Sequence, residues 1–332
     1  MTLLWKLSLK FVYQMESLQM IRLVSLFLIF GLVVTSCVTR VDIPNEEESK
    51  IFIECDMLRG ERIIADLSTS NNLNNLYPIT NPQDAKISIY KSIRPGEYSE
   101  YIIDLVYDEE LGKYASLPSE NTSQFLSEGV NYKMEARIYD SPIEEVVAFT
   151  DVPFSSQISE YELLDEYIDG DFWIGTIGFT VDLPSRAYND ELYYHIIFEN
   201  QFTTLNASEE YTFSGEKKEL QIVDIKEGAG GLFDLMHKDG YFIQYKDLEK
   251  GYFEITLQSS IPLSEQDQVM DHVFVSLYGI SEEYFEYHKA RSNLISAQGS
   301  IFEEPVVMRS NVKNGHGLFS ACVLKNQTLE LR

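Results

Sequence analysis

Apolar and polar residues alternate in short segments through the stretch that follows residue 50. The clearest example is residues 132–139, where every second position is apolar: Tyr132, Met134, Ala136 and Ile138. A period of two places successive side chains on opposite faces of an extended chain. The pattern therefore predicts a β-strand with one buried face.

Similar segments in the same stretch predict more short strands with turns between them. They are Ile51–Cys55, Arg62–Leu67, Ala85–Tyr90, Tyr101–Tyr107 and Glu145–Thr150. Six or seven short strands in about a hundred residues are typical of an immunoglobulin-like β-sandwich. The sequence lacks the Cys–Trp–Cys signature of true immunoglobulin domains, so the prediction concerns the architecture alone.

A boundary between two predicted domains falls at Pro153, because proline has no amide hydrogen for a central strand. Residues 50–152 are predicted to form the sandwich domain. Residues 153–332 are predicted to form a larger β-rich domain that opens with a linker at Phe154–Ser159. Its predicted strands are Trp173–Val181, Leu192–Glu199, Leu220–Ile225, Tyr241–Tyr245, Tyr252–Leu257, His272–Leu277, Val306–Met308 and Leu318–Leu324. The predicted fold class is mainly β.

One amphipathic helix is predicted near the C-terminus, over Ser281–Ser296. Ser281 can cap its first turn, and Glu282 and Glu283 suit the positive end of a helix dipole. Side chains that recur at three- and four-residue spacing define one face: Tyr284, Tyr287, His288, Arg291, Leu294 and Ile295. We expect this aromatic stripe to face the core rather than a ligand.

The chain before residue 50 has a different character. An apolar run from Leu23 to Val34 follows Arg22 and ends in Val34-Thr35-Ser36-Cys37. The run is shorter than the roughly 20 residues that span a membrane, and it fits the apolar region of a signal peptide. Small residues directly before a cysteine are typical of a bacterial lipoprotein signal. The alternative is a buried apolar element followed by an ordinary cysteine.

On the lipoprotein interpretation, residues 1–36 are a signal peptide whose true start is Met20, and residues 37–49 are a lipidated tether. We expect cleavage before Cys37 and acylation of its sulfur, which would anchor the protein in the lipid bilayer. The expected location is the outer membrane, with the cell surface and the periplasmic face both open.

The charge of the chain narrows the classes of partner. The 332 residues carry a formal charge of −27, and removal of residues 1–36 takes away three basic residues and one acidic residue, which gives −29. Such a chain repels nucleic-acid phosphates, so we expect no nucleic-acid partner. The two remaining cysteines, Cys55 and Cys322, are expected to be buried free thiols rather than a disulfide, although an exported protein could oxidise them.

Motifs that carry catalytic chemistry are not recognisable in the sequence. The five histidines do not form a metal-binding pair on a helix, and His195 and His272 fall in strand patterns. The carboxylates of Asp169-Gly170-Asp171 could bind calcium, but we expect this segment to be a solvated turn. In so acidic a chain, pairs such as Glu209-Glu210 and Glu303-Glu304 are expected by chance. The glycines of 228–231 are expected to form a flexible loop.

Short motifs in the second half are distinctive. The C-terminal segment contains Glu304-Pro305-Val306-Val307, Ser310-Asn311, Asn314-Gly315 and Gly317-Leu318-Phe319. Other motifs are Ala148, Thr150 and Pro153 at the end of the first half, and Ser281 with Tyr284 on the helix. With the lipoprotein signal, they resemble the Bacteroidetes outer-membrane lipoprotein family known as domain of unknown function 4249. Asn314-Gly315 also signals a tight turn, in which Gly315 and Gly317 are expected to adopt positive φ.

The resemblance implies an outer-membrane lipoprotein that is often encoded beside a TonB-dependent receptor, and it implies no known catalytic residues. We therefore expect a non-enzymatic protein, without cofactor or metal, that is an accessory or ligand-capture partner of a TonB-dependent transporter. The alternative is a structural or adhesive envelope protein that binds another protein through its β-sandwich. A hydrolase with a carboxylate site in the second domain is a third class. The sequence does not specify a ligand.

Overall fold

The computed structural model describes residues 51–69, 83–94, 96–118, 120, 122–139, 145–182, 192–205, 211–227, 232–235, 238–244, 251–260, 262, 268–297 and 307–330. These residues are mainly β, with 17 strands and one α-helix near the C-terminus. The prediction of a mainly β chain with one late helix is confirmed. In the described part of the chain, no helix is both long enough and apolar enough to span a bilayer.

The first seven strands occupy the stretch before residue 152. They are β1 Ile51–Leu58, β2 Ile64–Thr69, β3 Ala85–Lys91, β4 Glu100–Asp108, β5 Lys113–Ala115, β6 Asn131–Ile138 and β7 Val146–Asp151. Each short segment predicted here from hydrophobic periodicity contains a strand, although β2 begins at Ile64 rather than Arg62 and β7 at Val146 rather than Glu145. Alternation along β1 and β6 matches alternating burial. The immunoglobulin-like arrangement of these strands stays a prediction.

The remaining elements follow from residue 157 onwards. The strands are β8 Gln157–Asp169, β9 Phe172–Asp182, β10 Tyr193–Leu205, β11 Tyr211–Glu227, β12 Leu232–Asp234, β13 Tyr241–Gln244, β14 Tyr252–Ser259, β15 Gln268–Ile280, β16 Val312–Lys313 and β17 Gly315–Glu330. The helix α1 is Glu282–Ala297. Most predicted strands of this half are present, and several are longer than predicted.

Two sequence predictions in this half are wrong. The proposed linker Phe154–Ser159 runs into β8, which begins at Gln157. The proposed strand Val306–Met308 is not a strand at Val307 and Met308, which are irregular. In the first case an exposed, acidic strand lacked the apolar alternation that marks a buried one. In the second, the short apolar run at Val307 and Met308 pairs with no strand of the described residues.

The strands form one continuous series of hydrogen-bonded neighbours. The order is β8, β9, β14, β11, β10, β15, β17, β1, β2, β5, β4, β3, β6, β7 and β16, with β13 and β12 attached to β10. Every pairing is antiparallel except that of β1 with β17. The first and last described strands therefore lie side by side and run in the same direction.

Strand β17 joins the two halves of this series. Its first part pairs with β1, from Ile51 opposite Gly315 to Leu58 opposite Cys322. Its second part pairs with β15, from Ile280 opposite Cys322 to His272 opposite Glu330. One strand thus contributes to both halves of the protein. The domain boundary at Pro153 stays a prediction.

Three clusters of buried apolar side chains lie along the sheet. The first is built from β1 to β7 with Val312, Phe319, Ala321 and Val323. The second lies among β9, β10, β14 and β15. The third packs α1 against β10, β13 and β17. The helix buries Tyr284, Phe285, Tyr287 and His288, which confirms that its aromatic stripe faces the core.

Both described cysteines are buried free thiols, as the sequence analysis expected. Strands β1 and β17 do bring the two ends of the chain together, but Cys55 lies opposite Phe319 and Cys322 lies opposite Leu58. Cys55 points into the first core and Cys322 into the third, on opposite faces of the sheet. Burial raises the pKa of both thiols.

Candidate functional site

The C-terminal motif residues form a structural junction between β7, α1 and β17. Asn311 is the centre of this junction. Its Nδ2 donates to the carbonyl oxygens of Phe149 at 2.8 Å and Phe319 at 2.6 Å, and its Oδ1 accepts the Phe319 amide at 2.9 Å. An asparagine amide supplies both donors and an acceptor. Asn311 therefore satisfies backbone groups of β7 and β17 at once.

The turn after Asn311 allows β17 to approach β1 closely. Asn314 has a φ of 61° and Gly317 a φ of 124°, whereas Gly315 does not have positive φ. The prediction is therefore right for Gly317 and wrong for Gly315, because Asn314 takes the left-handed position of the turn. Gly315 is needed for space, since a Cβ there would lie 2.7 Å from the Ile51 carbonyl oxygen.

Helix α1 begins at the same junction. Ser281 donates its amide to the Ala321 carbonyl at 3.1 Å, and its Oγ accepts the Tyr284 amide at 3.4 Å, which confirms the predicted cap. Thr150 Oγ1 donates to Glu283 Oε2 at 3.4 Å. The short motifs around Thr150, Ser281 and Asn311 are far apart in sequence, and they meet here in space.

A cleft of about 280 Å³ opens beside this junction, and we call it the α1 cleft. Its lining consists of Glu282, Glu283, Glu286, Tyr287, Arg309, Ser310, Asn311 and Leu318. Arg309 Nη1 lies 3.1 Å from Glu286 Oε2. Burial, with a smaller contribution from the charge of Asp151, raises the pKa of Glu283. The cleft is acidic, but its polar groups are largely committed to the junction itself.

A larger cleft of about 480 Å³ lies among β11, β12 and β13, and we call it the β11–β13 cleft. It is lined by Glu219, Gln221, Ile222, Asp234, Leu235, Lys238, Asp239, Gly240, Tyr241 and Ser260. Carboxylate, amide, ammonium and hydroxyl groups face one open space. Such a lining can hold a hydrophilic ligand through several hydrogen bonds.

Hydrogen bonds fix the shape of this cleft. Glu219 Oε1 accepts the Gly240 amide at 2.8 Å, and Tyr241 Oη accepts the Ile222 amide at 2.8 Å. Burial raises the pKa of Glu219. Behind the cleft, His195 Nε2 bonds to the Asp239 carbonyl, and burial lowers the pKa of His195 to about 4. The imidazole is neutral at pH 7, and its Nε2 donates the hydrogen bond to the Asp239 carbonyl. His195 therefore supports the turn that contains Asp239.

The residues considered for chemistry in the sequence do not converge on a catalytic arrangement within the described residues. The rings of His195 and His288 lie 4.4 and 6.4 Å from the ring of Phe242, measured between centroids, and both histidines are buried. His316 is exposed, Asp169 is the exposed last residue of β8, and Asp171 lies in the exposed turn that follows it. Among the described residues no group of three histidine, cysteine, aspartate or glutamate side chains could hold a metal ion.

Several residues of interest lie outside the described residues. They are Cys37, the expected lipidation site, together with His237, Glu209-Glu210, Glu303-Glu304 and the glycines of 228–231. Conversely, no motif in the sequence marks Glu219 or Lys238. The cleft forms from strands that are separated in sequence, so no local pattern predicts it. The nearest sequence feature is the polar turn at 238–240.

Comparison with known proteins identifies one relationship. No curated protein matches the chain. The family described as Domain of unknown function (DUF4249) matches residues 38–328, which include every motif that meets at the junction. The chain therefore belongs to the DUF4249 family over nearly its whole length.

Proposed function

We propose that this protein is a non-enzymatic lipoprotein of the outer membrane, and that it is an accessory that captures a ligand for a TonB-dependent transporter. The observation that carries the proposal is the sequence Val34-Thr35-Ser36-Cys37 directly after a short apolar run. Acylation at Cys37 converts a water-soluble β-rich body into a membrane-bound one. A single acyl chain binds membranes only marginally, so stable anchoring requires more than one.

The spacing between Cys37 and the first strand limits how far the body can stand from the bilayer. Strand β1 begins at Ile51, 14 positions after Cys37. A fully extended chain spans about 3.5 Å per residue, which gives a maximum of about 50 Å. The formal charge of −29 after removal of residues 1–36 repels anionic headgroups. The body would therefore be held near the membrane by its tether without lying flat on it.

The β11–β13 cleft supports the capture of a hydrophilic ligand. Its carboxylates Glu219, Asp234 and Asp239 lie with Lys238 and Tyr241 around one open space. A pre-formed cleft with groups fixed by hydrogen bonds loses little entropy on binding. Capture close to a transporter mouth would raise the local ligand concentration.

Purification from native membranes tests the proposal. The full-length protein, solubilised in mild detergent after chemical cross-linking, is expected to co-purify with a TonB-dependent barrel. In the matched variant Cys37→Ala the protein is expected in the soluble fraction or stalled with its signal peptide attached, without the barrel. Recovery of the wild-type protein from membranes with no barrel attached would contradict the transporter role while leaving the anchor in place.

A structural or adhesive envelope protein is the second candidate. It is favoured by exposed apolar side chains in the first half, such as Tyr101 and Val106 on β4, which are 54% and 53% exposed. An adhesive role predicts binding to a host or matrix protein through this half. Charged replacements at Tyr101 and Val106 would abolish such binding but would not affect recovery of a transporter.

A further inference from the structure

Strand β8 lies at one end of the series of strands. It pairs with β9 along one side, from Gln157 opposite Asp182 to Asp169 opposite Phe172. Among the strands of the described residues, β9 alone pairs with β8, so the other side of β8 has no strand partner there. We call residues 160–169 the β8 edge. A row of backbone amides and carbonyls without strand partners is a template for the addition of another strand.

The β8 edge exposes large apolar side chains that a free-standing edge does not need. Tyr161, Leu164, Tyr167 and Ile168 are 38%, 41%, 52% and 55% exposed. Tyr167 and Ile168 point to opposite faces of the sheet, because adjacent residues of a strand alternate. An added strand would therefore find apolar contacts on both faces.

The charge of this edge specifies the chemistry of a partner. Strand β8 contains five carboxylates and no lysine, arginine or histidine: Glu160, Glu162, Asp165, Glu166 and Asp169. None of these carboxylates forms an ion pair with a basic side chain of the described residues. Glu166 accepts a hydrogen bond from Trp173 Nε1 at 3.0 Å. Among the described residues, no basic side chain pairs with this row of negative charge.

The irregularities of β8 leave its last part suitable for pairing. Bulges interrupt the register between Ser159 and Glu162 and between Leu163 and Asp165. From Asp165 to Asp169 the register with β9 continues without a shift. Bulges and charges are common devices against pairing of identical edges. A second copy of this chain would place five carboxylates against five others, so self-pairing is disfavoured.

We propose that the β8 edge binds an extended segment, rich in lysine or arginine and in alternating apolar residues, from a partner protein. The segment adds to the sheet as a strand next to β8. Backbone hydrogen bonds supply the pairing, and the carboxylates of β8 select a basic sequence over an acidic one. This surface is separate from the β11–β13 cleft and does not depend on the transporter role.

Peptide binding to the full-length protein in detergent tests this proposal. The probe is a synthetic peptide of alternating lysine and valine, about as long as β8. It is expected to bind and to slow backbone hydrogen exchange within residues 160–169. A glutamate–valine peptide is expected not to bind. The lysine–valine peptide with every backbone nitrogen methylated is also expected not to bind, because it keeps its charge but has no backbone N–H on either edge to donate to β8.

Two pairs of variants separate edge recognition from general attraction to an acidic protein. Asp165→Lys with Asp169→Lys is expected to weaken the peptide at least about tenfold. The matched control Glu109→Lys with Glu110→Lys makes the same charge change in an exposed turn, and is expected to change affinity less than about threefold.

A second variant keeps the charge unchanged. Tyr167→Ser with Ile168→Ser removes the exposed apolar contacts and is expected to weaken binding while leaving the thermal unfolding curve unchanged. Equal binding by the methylated peptide, protection outside residues 160–169, or equal weakening by the two charge-reversed pairs would overturn the proposal. Reversible dimerisation through β8 in sedimentation experiments would also overturn it, because the edge would then select its own copy.

Discussion

Asn311 gives the sharpest test of the junction, because a nearly isosteric change removes its donors but leaves its acceptor. In Asn311→Asp, the oxygen that replaces Nδ2 would face the carbonyl oxygens of Phe149 and Phe319, which Nδ2 contacts at 2.8 and 2.6 Å. The bond from the Phe319 amide to Oδ1, at 2.9 Å, can remain. The change therefore isolates two donated hydrogen bonds.

The magnitude follows from these contacts. Each lost hydrogen bond costs about 0.5–1.5 kcal/mol, and a partly buried carboxylate against two carbonyl oxygens adds about 1–3 kcal/mol. We expect the free energy of unfolding to fall by about 3 kcal/mol at pH 7. The unfavourable setting raises the pKa of the new carboxyl in the folded state above its unfolded value. The penalty is therefore largest at pH 7 and shrinks as the pH falls towards 4.

Urea unfolding of the full-length protein at pH 7 and pH 4.5 measures both quantities. The matched control is Asn314→Asp, since Asn314 is exposed and its Nδ2 lies 3.4 Å from the Glu145 carbonyl. That change is expected to cost less than about 0.5 kcal/mol. Equal stability of the two variants, or a penalty in Asn311→Asp that does not depend on pH, would refute the role assigned to Asn311.

Three other predictions concern the packing of β1 against β17. Gly317→Ala is expected to destabilise the protein by about 2 kcal/mol more than Gly60→Ala. Both glycines have positive φ, but a Cβ at 317 would lie 1.9 Å from a β1 carbonyl oxygen, whereas the space at 60 is open. Urea unfolding measures the two free energies of unfolding. Equal losses in the two variants would contradict the close approach of β17 to β1. Burial raises the pKa of Asp56 in the folded protein above its value in the unfolded chain. The stability that Asp56 contributes is therefore complete below the unfolded-state pKa, and it is lost as the pH rises through the folded-state pKa. In Asp56→Asn, the free energy of unfolding should therefore fall less between pH 4 and pH 7 than in the wild type. The same pH dependence in both proteins would contradict the burial of an ionisable Asp56. Finally, Cys55 and Cys322 should react with a thiol reagent only after unfolding, and rapid labelling of the native protein would show that they are not buried.

The sequence was most informative where burial alternates. Tyr132, Met134 and Ala136 are all fully buried on one face of β6, so a period of two predicted this strand directly. The helix was equally readable, since Ser281 caps it and its aromatic stripe is buried. These features depend on neighbours along the chain, which a single sequence shows.

What the sequence could not show depends on neighbours in space. Strand β8 was missed because nearly all of its side chains are exposed, and an edge strand has no buried face to produce alternation. The parallel pairing of β1 with β17 joins residues more than 250 positions apart, and no local pattern encodes it. The β11–β13 cleft was not predicted for the same reason, because Glu219 and Lys238 line it from segments that are separated in sequence. Motifs at Thr150, Ser281 and Asn311 were recognised separately, but their meeting point was not.

The proposed function depends on an acyl group on Cys37 that would hold this protein beside a membrane. Intact and peptide mass spectrometry of the protein purified from its native cells tests it most directly. We expect a mature chain that begins at Cys37, carries fatty acids on that residue, and yields no peptide from residues 20–36. An unmodified chain that begins at Met1 or Met20 and is recovered from the soluble fraction would contradict it.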